Sequence, residues 1–126
     1  MVSKEDLLER ARKEKEEYYE DSSWAVPIFE IMVFEHPEKL GIYDIPDLGA
    51  FRNVGFVYSL DDAIEILNTN KCDLHEYFYR AAFILMKLPG LYVGSMSRNR
   101  MYFLWDQERK GFFQAEEPEI FSHFMY

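Results

Sequence analysis

The sequence predicts an α+β fold: a single small domain with a mainly antiparallel sheet of about five strands, one packed central helix, a charged N-terminal helix and a short C-terminal helix. Three observations carry that expectation. Between Val54 and Tyr92 the pattern reads as strand, capped helix, reversal and second strand, and this stretch holds most of the dense apolar residues. Trp24 to Glu35 is apolar on both sides of an alternating pattern, as an interior strand must be. Arg100 to Asp106 and Gly111 to Glu116 flank a short polar turn and read as a hairpin. The charged helix occupies residues 1–22 and the domain proper residues 23–126.

Taken in order, Ser3 with Asp6 opens the chain on a near capping box followed by strong helix formers. Asp6 to Arg10, Glu9 to Lys13 and Arg12 to Glu16 are opposite charges four residues apart. The apolar stripe is broken, with Leu7, Leu8 and Ala11 near the start and Tyr18 and Tyr19 at the end. Such a helix is expected to pack at its two ends only, or to extend from the body. In the strand that follows, Ile28, Met32 and Phe34 point one way and Phe29, Ile31 and Val33 the other, with Glu30 the polar exception. Pro27 lacks an N–H, so regular pairing begins after it.

Pro37 to Asn53 is punctuated by proline and glycine yet carries Leu40, Ile42, Tyr43, Ile45, Leu48 and Phe51. It reads as a packed surface loop with a helical turn at Pro46 to Phe51. Val54 to Ser59 is a short strand, after which Ser59 caps a helix with Asp62 three residues on. Leu60, Ala63, Ile64 and Leu67 give that helix one apolar face, and Asn68 to Asn70 ends it with an asparagine suited to a left-handed residue. Phe78 to Leu88 fits either a helix or a strand apolar on both sides. The reading preferred is one helical turn at Asp73 to Tyr77, then a strand from Arg80 to Leu88, then a turn at Pro89-Gly90. In the hairpin, Met101, Phe103 and Trp105 share a face and Gly111 suits a positive φ. Pro118 suits the first turn of a C-terminal helix with Ile120, Phe121, Phe124 and Met125 on its apolar side.

Composition narrows the function classes. At 48% hydrophobic and 17% aromatic residues the chain cannot be largely disordered. Its net charge of -9 opposes the concentrated cationic footprint that duplex binding needs, and it disfavours an anionic membrane surface. Cys72 is the single cysteine, so no internal disulfide can form. No signal-peptide pattern and no apolar run of membrane-spanning length is present, which makes a cytoplasmic location the expectation.

The run from Gly55 to Tyr92, with SLDDAIEIL, NKCDLHEYFYRAAF and PGLY, followed by the aromatic hairpin RMYFLWD and GFFQAEEP, resembles a group of small uncharacterised bacterial and phage-associated proteins. The likeness covers about two-thirds of the chain and lies in caps and turns. It implies an open-faced α+β domain and brings no active site with it. The charged N-terminal helix lies outside the resemblance.

Chemistry-bearing residues crowd only at Cys72-Asp73-x-His75-Glu76. A closed zinc site needs four ligands, and His36 and His123 have no paired spacing with this cluster. Tyr79 stands where a metalloprotease helix would carry its second histidine. A nucleophile and base at Cys72 and His75 would also need a third group to orient the base. These residues are therefore the weaker candidate, for a small enzyme or a metal or ligand site, and a helix cap beside a half-buried thiol is the structural reading. No phosphate-cradling glycine loop is present. Arg98, Arg100, Arg109 and Lys110 beside Tyr102, Trp105, Phe112 and Phe113 suggest single-strand nucleic-acid stacking, diluted by Asp106, Glu108, Glu116 and Glu117.

The stronger signal is an excess of aromatics on an acidic background, which points to a protein interface steered toward a basic partner. The expected contact surface joins Tyr43, Asp44, Asp47 and Phe51 of the loop to Tyr102, Trp105 and Phe113 of the hairpin. No catalytic residue and no cofactor is expected, and the module reads as an inhibitor or regulator, with nucleic-acid mimicry as one version. Self-association through the N-terminal helix is a further expectation.

Overall fold

The computed structural model describes residues 1–20, 22–35, 51–76, 78–89 and 99–118, together with the backbone of residues 39–40 and 46–47. Nine elements follow in order: α1 (Lys4–Tyr19), β1 (Ile28–Phe34), β2 (Lys39–Leu40), β3 (Pro46–Asp47), β4 (Phe51–Val57), α2 (Leu60–Asn68), β5 (Ala81–Lys87), β6 (Arg100–Asp106) and β7 (Gly111–Ala115). Five strands form one antiparallel sheet in the order β4-β1-β5-β6-β7, and β2 and β3 pair as a separate two-stranded sheet. The α+β expectation holds. Two helices are described, and the residues assigned to a C-terminal helix after Pro118 lie outside the described residues.

Strand β1 is an interior strand, and both of its faces are apolar. Phe29, Ile31 and Val33 enter one core, and Phe34 with Met32 enters another on the opposite side. Glu30 is accommodated by Lys87, placed diagonally across on β5, at 3.1 Å from Nζ to Oε2. The ladders from β5 to β1 and β6 resolve the helix-or-strand ambiguity in favour of strand, and Ala81 to Met86 are all buried.

Both helices lie on one face. Leu60, Ala63 and Leu67 of α2 and Leu7 and Ala11 of α1 join Phe29, Ile31, Val33, Ala82, Ile84, Met86, Met101, Phe103 and Phe112 in one core. Each large apolar side chain buried there contributes roughly 1.5–3 kcal/mol. Ser59 caps α2 by accepting from the Asp62 N–H at 3.4 Å. Ser3 caps α1 through a complete capping box, accepting from the Asp6 N–H while the Asp6 carboxylate accepts from the Ser3 N–H. Helix α1 does not extend from the body, nor does it pack only at its ends. The stripe Leu7, Ala11, Glu14 runs along its middle and is buried.

Four local expectations are corrected. Pro46–Asp47 is a strand paired with Lys39–Leu40, not a helical turn, and Phe51 already belongs to β4. A proline φ suits the first turn of a helix and an edge strand equally, and pairing selects the extended form. No left-handed asparagine ends α2. Thr69 is extended there, and the left-handed residue is Asp73, at φ 58. With Asp73 left-handed and residues 71–76 in turns and bends, the described part of the expected turn at Asp73 to Tyr77 is not helical, and Tyr77 lies outside the described residues. In the hairpin, Lys110 carries the positive φ of 53 in place of Gly111. The Asp106 side chain closes that turn by accepting from the N–H groups of Glu108 and Arg109. A Cβ at Gly111 would stand 3.3 Å from the Phe113 ring, which would have to give by a few tenths of an ångström.

Strand β4 contains a bulge where it passes Ile31 and Met32 of β1. Gly55 holds it open at φ 132 and donates its N–H to the Asn53 side chain. This one extra residue decides which side chains of β4 face outward.

Candidate functional site

The register assembles the sheet face opposite the helices. Phe51, Phe34, Ala81, Leu104 and Phe113 are successive cross-strand partners on β4, β1, β5, β6 and β7, so a single apolar row spans all five strands. The next row, Asn53, Met32, Phe83, Tyr102 and Ala115, lies beside it on the same face. Ring contacts tie the rows together: Phe34 to Phe51 at 6.2 Å, Phe34 to Phe83 at 5.3 Å and Phe83 to Tyr102 at 6.0 Å between centroids. Pairs in this range stabilise by about 0.5–1.5 kcal/mol beyond their burial.

The centre of this face is buried and its flanks are open. Phe34, Ala81, Phe83 and Tyr102 are buried, whereas Phe51 is 63% exposed, Leu104 41% and Phe113 37%. Phe56 of β4 and Tyr58 just after it are also exposed, their rings packed edge to face at 5.8 Å. At the other flank, the Arg109 guanidinium lies 3.6 Å from the Phe113 ring centroid while its Nε donates to Asp106 at 2.8 Å. That contact leaves one side of the ring covered by a cation already held by a carboxylate. These bonds from Arg109, with the turn N–H groups, hold the Asp106 carboxyl below the usual carboxylate range.

Arg100 sits beneath the face and is fully buried. Its guanidinium lies 5.1 Å from the Phe83 ring centroid, and Nη1 donates to the Tyr102 hydroxyl, which donates in turn to Glu117. Arg100 therefore organises the face from inside and cannot meet a nucleic acid. The basic-aromatic patch read on the hairpin is dispersed further: Phe112 is buried, Trp105 faces the helices, and Arg98 lies outside the described residues.

Among the residues expected to bind a partner, the fold brings Phe51, Tyr102 and Phe113 to this face. Trp105 is on the opposite face, packed against His75 and Phe112. Parity along β6 puts Tyr102 and Trp105 on different sides. Asp47 is described only as backbone in β3, and Tyr43 and Asp44 lie outside the described residues. Phe56, Tyr58 and Leu104 were not singled out from sequence. The β4 bulge hid the first two, because the outward positions run 51, 53, then 56, 58, and no alternating pattern crosses that break.

Residues of the Cys72 cluster make contacts within the fold. His75 Nε2 lies 2.7 Å from the Leu67 carbonyl, one of the orphan acceptors at the end of α2. Its backbone N–H donates to Asn70 Oδ1, and Asn70 donates to Glu76. The ring then packs on Trp105 at 5.1 Å and on Phe112 at 6.0 Å. The Cys72 carbonyl accepts from Arg52 at 2.7 Å while its half-buried thiol packs against the core. Asp73 caps no helix. No group of three or more metal-ligating side chains occurs among the described residues.

A cleft of about 550 Å³ between α1 and the hairpin is lined by Asp6, Glu9, Arg10, Lys13, Tyr102 and Glu117, among others. Three of these carboxylates have assigned bonds: Asp6 with Ser3, Glu9 with Arg12, and Glu117 with Tyr102. The Ser3 bonds hold the Asp6 carboxyl below its usual range, and Arg12 does the same for Glu9. No described helix is long and apolar enough to cross a membrane. No family model, curated protein or solved structure matches the chain.

Proposed function

We propose that this chain is a non-catalytic protein-interaction module that acts as an inhibitor or regulator. It engages a partner with a basic surface through the sheet face opposite its helices. The observation that carries the reading is the apolar row from Phe51 to Phe113, whose ends are exposed on a sheet otherwise built to bury aromatics. Aromatic side chains, phenylalanine among them, are enriched in the cores of protein interfaces relative to the rest of the surface. The net charge of -9 supports a cationic partner, since complementary charge raises the association rate and disfavours acidic competitors. The resemblance of Gly55 to Tyr92 and the hairpin to bacterial and phage-associated proteins belongs to the same proposal, as does a cytoplasmic setting.

The test is capture from a native lysate of the source cells by the wild-type chain and by two variants. Phe51→Ser with Phe113→Ser removes both ends of the row, and Trp105→Phe alters the other face. Retention of one partner by wild type and Trp105→Phe, lost in the double variant and weakened by added salt, is the expected result. Retention unaffected by the double variant would remove this surface from consideration, and no retained partner at all would sink the interaction reading.

A further inference from the structure

We infer that a groove along one flank of α1 binds an amphiphile with a single carboxylate and an apolar chain, of the fatty-acid class. The groove lies on the helix side of the sheet, so the inference does not depend on the interaction face proposed above.

Helix α1 has a hollow on each flank, and its buried stripe of Leu7, Ala11 and Glu14 runs between them. The hollow on the hairpin flank is the polar cleft described above. The carboxylates described in its lining, Asp6, Glu9, Glu116 and Glu117, all have bonded partners. The hollow on the other flank, about 440 Å³, runs between α1 and the junction of β4 with α2. Residues 4, 8, 12 and 15 form its helical wall, because positions three and four apart share one face of a helix. Its floor is apolar: Ala11, Phe29 and Leu60 line it and are buried. Leu8 and Tyr58, on opposite walls, are exposed and leave it open to solvent. Small-molecule sites have this make-up, mainly apolar with a few placed polar groups, at volumes of about 300–1,000 Å³.

The charges select the headgroup. The chain has 23 acidic and 14 basic residues, yet the described lining of this groove carries three bases, Lys4, Arg12 and Lys15, and one acid, Asp61. Lys4 is held by Asp61, and Arg12 by Glu9 and Glu16. Lys15 is half-buried and has no ion-pair partner among the described residues. One uncommitted cation beside an apolar floor suits one negative charge. A phosphate monoester brings about two, and would meet the repulsion of Glu9 and Glu16 behind Arg12. Lys15 is seven residues beyond Leu8, about 10 Å along the helix axis. A carboxylate on Lys15 therefore leaves its chain to lie along the floor toward Leu8 and Leu60. Each methylene laid there leaves water, so affinity rises with chain length.

Calorimetric titration of the full chain with decanoate, below its micelle concentration, tests this, with the site located by amide NMR shifts. One decanoate is expected to bind per chain, about tenfold or more tightly than hexanoate, and to move amides of residues 8–15 and 58–61. Lys15→Gln should weaken decanoate about tenfold, Lys15→Arg should retain it, and neither should alter the binding of decanol. Leu8→Glu, which puts a like charge on the apolar wall, should remove decanoate binding while preserving the helix. No saturable binding would overturn the inference, as would a decanoate affinity that Lys15→Gln leaves unchanged. Shifts confined to Phe51, Leu104 and Phe113 would overturn it too, by placing the ligand on the opposite sheet face, and would leave the interface proposed there standing. An acidic, apolar peptide that fills the groove where decanoate does not would equally replace it.

Discussion

Two neighbouring rows of the sheet, offset by a single residue on every strand, are finished in opposite ways. On the helix side the row runs Arg52, Val33, Ala82, Phe103 and Gln114. Its interior is apolar, and both ends are polar and fastened: Arg52 donates to the Cys72 carbonyl and Gln114 to the Val2 carbonyl. On the other side the row runs Phe51, Phe34, Ala81, Leu104 and Phe113, and the exposed ends are aromatic rings. Among the described residues, the helix-side row ends on polar side chains that bond other segments, and the opposite row ends on exposed aromatic rings. The first arrangement belongs to stability. The second, at two separate positions on one face, is what motivates an interface there.

The comparison breaks most visibly at residues of like chemistry and unlike placement. Phe103→Ala removes a buried ring from the middle of the fastened row and should cost about 3–5 kcal/mol, read as a fall in the denaturant midpoint. Phe51→Ala, at 63% exposure, should cost less than about 1 kcal/mol by the same measurement. Comparable losses from both would mean that the open flank is core, and the distinction between the rows would collapse.

How far this was legible in the sequence follows from what each feature depends on. Strand β1, helix α2 and the β6–β7 hairpin are written in local patterns: two-sided apolar alternation, Ser59 three residues before Asp62, and a polar turn between aromatic runs. The apolar row across the sheet is not local. Phe51 and Phe113, on opposite edge strands, are brought into one row by a register that passes across three intervening strands, and the bulge at Gly55 changes the parity of β4 midway. Cys72, His75 and Glu76 mislead for the complementary reason. Sequence shows their proximity, whereas the Leu67 carbonyl and the Trp105 ring that occupy His75 come from elsewhere in the fold.

His75 offers the next sharpest separation. It belongs wholly to the helix side, joining the end of α2 to Trp105 and Phe112. His75→Ala leaves the Leu67 carbonyl without that partner and opens space beside two rings, a loss of about 2 kcal/mol. Trp105 fluorescence should shift in the native state of this variant. An unchanged midpoint and spectrum would argue that the turn at 71–76 is held by other contacts.

At the end of the fastened row the expected effect is smaller. Arg52→Ala removes one charge-assisted bond to a carbonyl and should cost about 1–2 kcal/mol by denaturant unfolding. Phe113→Ser, at the corresponding end of the open row, should change stability by under about 0.5 kcal/mol while weakening partner capture. If Arg52→Ala is silent and Phe113→Ser is destabilising, the roles assigned to the two row ends are reversed.

The smallest effect concerns acid, and it lies outside both rows. Asp6 is held below its usual range chiefly by the Ser3 N–H, and Asp106 chiefly by the Arg109 N–H. A carboxyl whose pKa is lower folded than unfolded binds fewer protons in the folded state, so its stabilisation is present above the unfolded pKa. It is lost as pH falls through the folded value, which places the window below about pH 4. Both groups are on the surface, where solvent and salt screen them, so the contribution of each is slight. Asp6→Asn and Asp106→Asn should each reduce the difference in denaturant midpoint between about pH 6 and about pH 2.5 relative to wild type. Because one carboxyl caps α1 and the other closes the β6–β7 turn, exchange measured across the same range distinguishes them. Asp6→Asn should flatten the acid response of the first turn of α1, and Asp106→Asn that of residues 107–110. An acid response that neither variant alters would place the titrating groups elsewhere in the chain.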